Sequence, residues 1–193
     1  MDDVQRMLAV KAGDLKAFDA LVLSHQRAVT AFFDRLLNNP GLAEEMAQEV
    51  FCRIYQYRED YEPRAAFATY LYRVAKNLWI DHVRRKAAAP RTLSLDAPGR
   101  PGEAEALGER IPGREGAPSE PLESSERARA VRAAVAALPE KLRLVFVMGE
   151  AEDMPYERIS EVLGIPVGTV KSRMHAAVLQ LRAALAPVVE EGR

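Results

Sequence analysis

Apolar side chains recur every three to four residues along most of this sequence, and that spacing limits the fold more than any other feature. Such a period places apolar residues on one face of a helix. No segment alternates with period two between turn residues, as a half-buried strand would. The pattern therefore predicts an all-α fold. In the first long segment the apolar stripe consists of Phe18, Leu21, Val22, His25, Val29, Phe32, Phe33 and Leu36.

Two further helices are predicted in the N-terminal half. The turn residues Asn-Asn-Pro-Gly at 38–41 end the first helix. The second helix begins near Leu42, and the third covers about 66–86. Their buried stripes are Leu42, Met46, Val50 and Ile54 in the second helix, and Phe67, Leu71, Val74 and Leu78 in the third.

A change of composition divides the chain into two modules. Residues 87–122 contain six prolines and five glycines, and residues 92–126 hold eight acidic residues against three arginines. Such a segment buries too little apolar surface to offset its chain entropy. We therefore predict a module at 1–86, a flexible acidic linker at 87–123, a second module at 124–187 and a tail at 188–193.

Composition also excludes several classes of protein. A net charge of -1 is unlike that of a protein that coats nucleic acid, so any DNA binding must be local or assisted. The single cysteine, Cys52, cannot form an internal disulfide, and the sequence starts without a secretory signal. Charges interrupt every apolar stretch before the ~20 residues that a membrane helix needs. We expect a cytoplasmic protein without membrane insertion.

The residues typical of enzyme sites are sparse. His25, His82, His175 and Cys52 occur singly, without metal-ligand spacing, a phosphate-binding loop or a nucleophile motif. The sequence therefore predicts no catalytic residues, no metal, no cofactor and no small-molecule substrate.

The segment 156–182 has the spacing of a helix-turn-helix. Ile159 and Leu163 close one short helix, Gly164 permits a positive φ at the turn, and Val170 packs the next helix back. Small and basic residues on the outer face of that helix suit contacts to base edges and phosphates. A solvated helical hairpin is the alternative. The candidate DNA-reading residues are Gly168, Thr169, Lys171, Ser172, Arg173 and His175.

The third predicted helix carries cations and aromatic rings together. Thr69, Arg73, Lys76, Asn77, Ile80 and Arg84 share the face opposite its apolar stripe, with Tyr70, Tyr72 and Trp79 beside them. Rings next to cations suit single-stranded DNA, because each base stacked on a ring contributes about 1–3 kcal/mol and the cations contact the phosphates. The alternative is that the rings cover the edge of the core and the cations form a solvated face.

Four segments together resemble one protein family. They read AEEMAQEVFCRIYQY, FATYLYRVAKNLWIDHVRRK, ALPEKLRLVFVM and YERISEVLGIPVGTVKSRMHAAVLQLR. The order and spacing of these segments resemble those of the bacterial RNA polymerase sigma factors of the sigma-70 family, extracytoplasmic-function (ECF) type. The resemblance implies that the first module, like sigma region 2, docks on core RNA polymerase and melts the minus-ten element. The second module, like sigma region 4, would read the minus-thirty-five element.

The resemblance also assigns residues. Asn77 stands at the position of a base-contacting asparagine, and Arg143 is either a phosphate contact or a surface residue. Leu42 stands where the family often has an acid, and the linker is long for a small sigma factor. An anti-sigma protein would be the usual regulatory partner, although no residue identifies one. The implied polymerase contacts are Glu45, Gln48, Glu49 and Arg53, and the implied minus-ten residues are Tyr61, Phe67, Tyr70, Arg73, Lys76 and Asn77.

Two other functions share parts of this pattern. A dimeric helix-turn-helix regulator would bind a palindromic operator tightly without polymerase. A helical adaptor that binds only proteins would not need the cations of the second module's DNA-reading helix. A sigma factor, by contrast, would bind duplex DNA weakly alone and strongly together with polymerase.

Overall fold

The structure is a computed structural model, and it describes residues 1–88 and 122–190. Within these ranges the chain forms helices joined by short turns and contains no strand, which confirms the predicted all-α fold. No helix in the described part of the chain is long and apolar enough to cross a membrane. The α-helices are α1 (Asp3–Lys11), α2 (Leu15–Leu37), α3 (Pro40–Gln56), α4 (Phe67–Ala88), α5 (Leu122–Ala137), α6 (Glu140–Phe146), α7 (Tyr156–Leu163) and α8 (Val167–Glu190).

The boundary between α2 and α3 follows from three consecutive residues. Asn38 ends α2 in the left-handed conformation at φ 51°, and the Asn39 side chain accepts a hydrogen bond from the backbone N–H of Leu42. Pro40 occupies the first turn of α3, where its missing N–H costs no helical hydrogen bond. The predicted stop is therefore confirmed, but α3 begins at Pro40 rather than near Leu42.

Helices α1–α4 form the N-terminal module around one core. α2 packs along α3, α4 packs against α3, and α1 covers one side of α2. The sequence patterns did not predict α1, which is short and capped reciprocally by Asp2 and Gln5. Its Met7 and Val10 are fully buried. The largest buried side chains of this core include Phe32, Phe33, Leu36, Ile54, Phe67 and Leu71.

Helices α5–α8 form the C-terminal module. α8 packs against α5, α6 and α7, and a five-residue π-helical turn, Val147–Ala151, follows α6. The sequence patterns did not predict this turn. The core of the C-terminal module contains Val145, Met148, Ile159, Val162, Val170 and Met174.

The proposed division into domains is only partly covered by the described residues. The linker predicted at 87–123 lies mostly outside them. α5 begins at Leu122, within the predicted linker, and α8 continues to Glu190, within the predicted tail.

Candidate nucleic-acid and polymerase interfaces

A glycine turn sets the angle between α7 and α8. Gly164 adopts φ 67° and ψ 37°, and its N–H donates to the carbonyl of Ser160 at 2.8 Å. The Ser160 hydroxyl in turn donates to the carbonyl of Ile165 at 2.5 Å. Both bonds involve Ser160 near the end of α7, and they fix the turn that leads into α8. Ile159 and Val170 are fully buried beneath the turn, as expected of a helix-turn-helix.

Replacing Gly164 with alanine should destabilise the C-terminal module by about 1–2 kcal/mol. Nothing lies within 4 Å of an added Cβ, so the cost comes from the positive φ alone. Urea denaturation followed by circular dichroism would measure it. Gly168→Ala is the matched control, because Gly168 lacks a positive φ and its added Cβ also meets nothing. Equal stabilities of the two variants would contradict the prediction.

The candidate DNA-reading residues of α8 lie at its N-terminal end. We call this set the recognition face. Gly168, Lys171, Ser172 and His175 are exposed, whereas Thr169 and Arg173 are partly buried. The Ser172 hydroxyl donates to the carbonyl of Thr169 at 3.0 Å and keeps its lone pairs for another partner. The face therefore presents small and cationic groups outside the core.

The candidate residues of α4 separate into exposed and buried groups. Arg73 and Asn77 are exposed, and Lys76 and Tyr70 are partly exposed. We call these four residues the capture face. The pKa of Lys76 is lowered, first by burial and then by the neighbouring charge of Arg73. A DNA phosphate would oppose the lowering, since its negative charge would stabilise the protonated amine.

Tyr61 and Phe67 do not share that face. They are only 3% and 2% exposed, and Tyr61 packs edge-on against Tyr70 with 5.0 Å between ring centroids. Phe67 packs against His25 and Tyr70. The structure thus places both rings in the core, where they pack against Tyr70 and present almost no surface to a partner.

Three other positions of α4 also differ from the predicted pattern. Thr69, expected opposite the apolar stripe, is 1% exposed, and Tyr72 and Trp79 are buried as well. Tyr72 packs edge-on against Phe32 of α2. For Tyr72 and Trp79 the alternative that the rings cover the core is therefore correct. A single-sequence periodicity cannot reveal that α4 is covered on more than one side.

The acidic face of α3 is exposed. Glu45, Gln48 and Glu49 point to solvent, and Arg53 is partly buried. Arg53 bonds to Glu49 at 2.8 Å and lies 3.6 Å from Asp81 of α4. The hydrogen bond that Arg53 donates to Glu49 is the main reason why the pKa of Arg53 is raised. Arg53 thus ties α3 to α4, and the other three residues form what we call the docking face.

Comparisons with known proteins match both modules. A family model described as Sigma-70 region 2 matches residues 21–89, and one described as Sigma-70, region 4 matches residues 128–181. The ECF RNA polymerase sigma factor SigW of Bacillus subtilis is 33% identical over 178 residues, which cover 92% of this chain and 94% of that protein. The chain belongs to the ECF RNA polymerase sigma factors. The sigma-H factor of Pseudomonas aeruginosa is 32% identical over an alignment of 197 residues. This alignment covers 98% of this chain and 96% of that protein.

Solved structures show the same fold. CnrH, in complex with the cytosolic domain of CnrY, has a TM-score of 0.68 at 21% identity, with 96% of this chain and 97% of that chain covered. The sigma factor RpoE of Bartonella quintana, in complex with the anti-sigma factor NepR, has a TM-score of 0.64 at 18% identity. The match covers 89% of this chain and 98% of the RpoE chain. The two family models and the similarity to SigW, rather than the fold alone, make the chain an alternative sigma factor, which binds core RNA polymerase and directs promoter-specific transcription initiation.

Within this sigma factor, Arg143 connects the two modules. Its guanidinium donates to the carbonyl of Leu36 in α2 at 3.0 Å and to that of Leu138 at 2.9 Å. It also lies 5.6 Å from the ring centroid of Trp79. Arg143 is therefore an intramolecular bridge in this structure rather than an ordinary surface residue, and its role as a phosphate contact stays a prediction.

Sequence reasoning missed a second bridge. Glu152, just after the π-helical turn, bonds to Arg35 of α2 and to Tyr72 of α4. Arg35 and Glu152 lie 117 positions apart, so no local pattern could have paired them.

The described residues contain no group of three or more His, Cys, Asp or Glu side chains that could hold a metal ion. The sulfur-bearing side chain of Cys52 is exposed on α3.

Proposed function

We propose that three separate faces of this sigma factor divide the work of initiation. The docking face binds core RNA polymerase, the capture face holds the melted minus-ten strand, and the recognition face reads duplex DNA at minus thirty-five. The observation that carries this assignment is the exposure of polar residues on α3, α4 and α8 beside two well-packed apolar cores.

The docking face supplies affinity that bulk charge does not. With a net charge of -1 the chain has little general attraction for DNA. Exposed carboxylates at Glu45 and Glu49 instead suit a basic surface on polymerase, and complementary charges speed and orient association. Promoter binding would then follow from attachment to polymerase.

The capture face combines the groups that unstacked DNA requires. Asn77 offers both a donor and an acceptor to a base edge, and the cations Arg73 and Lys76 suit the phosphates on either side. Tyr70 offers a partly exposed ring, held in place by Tyr61 and Phe67 beneath it. Arg84 extends the basic surface along the same helix.

The recognition face meets duplex DNA through the start of α8. Lys171 and Arg173 suit phosphates or guanine, and Ser172 suits a base or phosphate oxygen. Gly168 lacks a side chain, which allows the helix to approach DNA closely.

Replacing Gly168 with alanine should separate stability from promoter recognition. Alanine inside a helix is about 0.5–1 kcal/mol more favourable than glycine, so the free energy of unfolding should stay unchanged or rise. Binding to minus-thirty-five DNA should nevertheless weaken, because the added methyl group would stand at the DNA surface. Chemical denaturation and holoenzyme footprinting would measure the two effects. Unchanged footprinting would remove Gly168 from the proposed contacts.

We further propose that the sigma factor is not itself an enzyme and works in the cytoplasm, where it meets polymerase and DNA. An anti-sigma protein is the regulatory partner that we propose. The related fold of RpoE, crystallised with the anti-sigma factor NepR, supports that suggestion.

The test of the proposed function is transcription in vitro. The purified chain and core bacterial RNA polymerase would be incubated with a library of genomic fragments, and the 5′ ends of new RNA sequenced. Initiation at sites with two spaced elements is expected. Absence of initiation, with tight polymerase-independent binding to a palindrome, would favour the dimeric regulator instead.

A further inference from the structure

Two adjoining cavities lie where α4 faces α6. Each has a volume of about 340 Å³, and Trp79, Val83 and Glu140 line both of them. The first cavity also reaches Arg173 of α8, and the second reaches Leu36 of α2. Cavities that hold small molecules have volumes of about 300–1,000 Å³. A small ligand would therefore fit at this place.

Cations outnumber carboxylates on the walls of these cavities. Glu140 is the only carboxylate among the described residues that line either one. The lysine and arginine side chains that line them are Lys76, Arg84, Lys141 and Arg173 in the first cavity, and Lys86 and Arg143 in the second. The walls therefore carry a surplus of positive charge.

Carboxylates of the chain do not neutralise these cations. Within the described residues, none of the four cations of the first cavity forms an ion pair. Burial and the nearby charge of Arg73 lower the pKa of Lys76. In the second cavity the Arg143 guanidinium bonds to backbone carbonyls, and its buried Nε has no hydrogen-bond partner among the described residues. A negatively charged ligand would supply the counter-charge that these groups lack.

An apolar wall completes the first cavity. Its buried or partly buried apolar residues include Trp79, Ile80, Leu144, Leu163 and Ile165. An inorganic anion would use only the charged part of this cavity. An anion that carries an apolar or aromatic group would also remove the apolar wall from water, which is favourable. The two kinds of wall together therefore fit a phosphorylated ligand that also carries a base.

The placement of the cations suits a compact ligand. Lys76 lies on α4, Lys141 on α6 and Arg173 on α8, so three helices supply cations to one cavity. Sites for single-stranded nucleic acid instead use an extended basic groove that follows the backbone. Several phosphate groups on one small molecule match cations that line one cavity.

We propose that the first cavity binds a nucleoside polyphosphate, with its phosphates on the cations and its base against the apolar wall around Trp79. The bound nucleotide would contact α4, α6 and α8 together. Lys76 and Arg173 also belong to the capture and recognition faces, so nucleotide and promoter DNA should compete for these two cations. Only this competition rests on the proposed function, because the site itself follows from the walls of the cavity.

Titration of the full chain with ATP, without divalent cations, tests the proposal directly. Isothermal titration calorimetry should show saturable binding whose affinity falls as the salt concentration rises, because salt screens charged contacts. Trp79 is the only tryptophan of the chain and lines the cavity, so its fluorescence should change on binding. Absence of binding would overturn the proposal. Binding heat without a change in Trp79 fluorescence would place the ligand elsewhere and would also refute the site.

Substitution of one lysine then tests the position of the phosphates. Lys141→Ala should weaken ATP binding about ten-fold, the usual effect of losing one hydrogen bond to a charged group. Lys141 is exposed on α6 and lies outside the docking, capture and recognition faces, so folding should not change. Lys16→Ala is the matched control, because Lys16 is an exposed lysine of α2 that lines neither cavity. Equal ATP affinities of the two variants would show that the cavity does not hold the phosphates.

A second probe separates a nucleotide site from a simple anion site. Inorganic tripolyphosphate carries the three phosphates of ATP without the nucleoside. ATP should bind about ten-fold more tightly than tripolyphosphate, because its base would cover part of the apolar wall. Equal affinities would overturn the assignment to a nucleotide. None of these measurements involves polymerase or promoter DNA, so failure of this site and failure of the proposed function are distinguishable.

Discussion

Phe32→Ala is expected to destabilise the N-terminal module by about 3–5 kcal/mol, the usual cost of deleting a buried aromatic ring. Phe32 is fully buried, and its ring packs edge-on against Phe33 and Tyr72 at centroid distances of 5.3 Å. The lost ring would leave a cavity between α2 and α4. Such a loss is a large part of the 5–15 kcal/mol that stabilises a typical domain.

Urea denaturation monitored by far-UV circular dichroism would measure this effect. Leu23→Ala is the matched control, because Leu23 lies on the same helix but is 71% exposed. Its free energy of unfolding should change by no more than about 0.5 kcal/mol. Similar losses in both variants would mean that Phe32 is no more buried than Leu23.

Asn77→Ala is expected to slow open-complex formation by a factor of roughly 5 to 150, corresponding to about 1–3 kcal/mol for one specific base contact. Asn77 is exposed on α4, outside the buried stripe of that helix. Its loss should therefore leave folding and polymerase affinity unchanged. Permanganate footprinting of melted thymines would measure opening, and fluorescence anisotropy would measure polymerase binding.

Gln180→Ala is a suitable control for that experiment. Gln180 is an exposed amide on α8, outside the recognition face. Its removal should affect neither opening nor polymerase binding. Equal loss of both activities in Asn77→Ala would indicate a role in the stability or docking of the module and not in strand capture.

The buried stripes of the helices were largely predictable. Leu21, Val29 and Leu36 on α2 and Val50 and Ile54 on α3 are buried as their spacing predicts. The glycine turn at Gly164 was predictable too, because positive φ is a property of a single residue. The spacing of apolar residues and the backbone preference of a glycine depend only on neighbouring positions. Both can therefore be recognised in a single sequence.

The candidate site was less completely predictable. The exposure of Asn77 and of the docking face agrees with the expected faces, but Tyr61 and Tyr72 are core residues. Phe67 is buried, as its place on the predicted apolar stripe indicates, and not exposed as a minus-ten contact would be. An aromatic ring beside a cation has the same sequence signature whether it covers a core or faces solvent. Only the packing of α1, α3 and α7 against α4 separates the two cases.

The sequence by itself determined the all-helical fold, the helix-turn-helix and, through its resemblance to known sigma factors, the class of function. The tertiary structure alone decided which polar side chains remain available to a partner and how the modules meet. Glu152 lies far from Tyr72 and Arg35 in sequence, and the bonds that it accepts from both depend on the burial of its carboxylate by the assembled modules. Burial is a property of the assembled fold, because each side chain is shielded from water by residues outside its own segment.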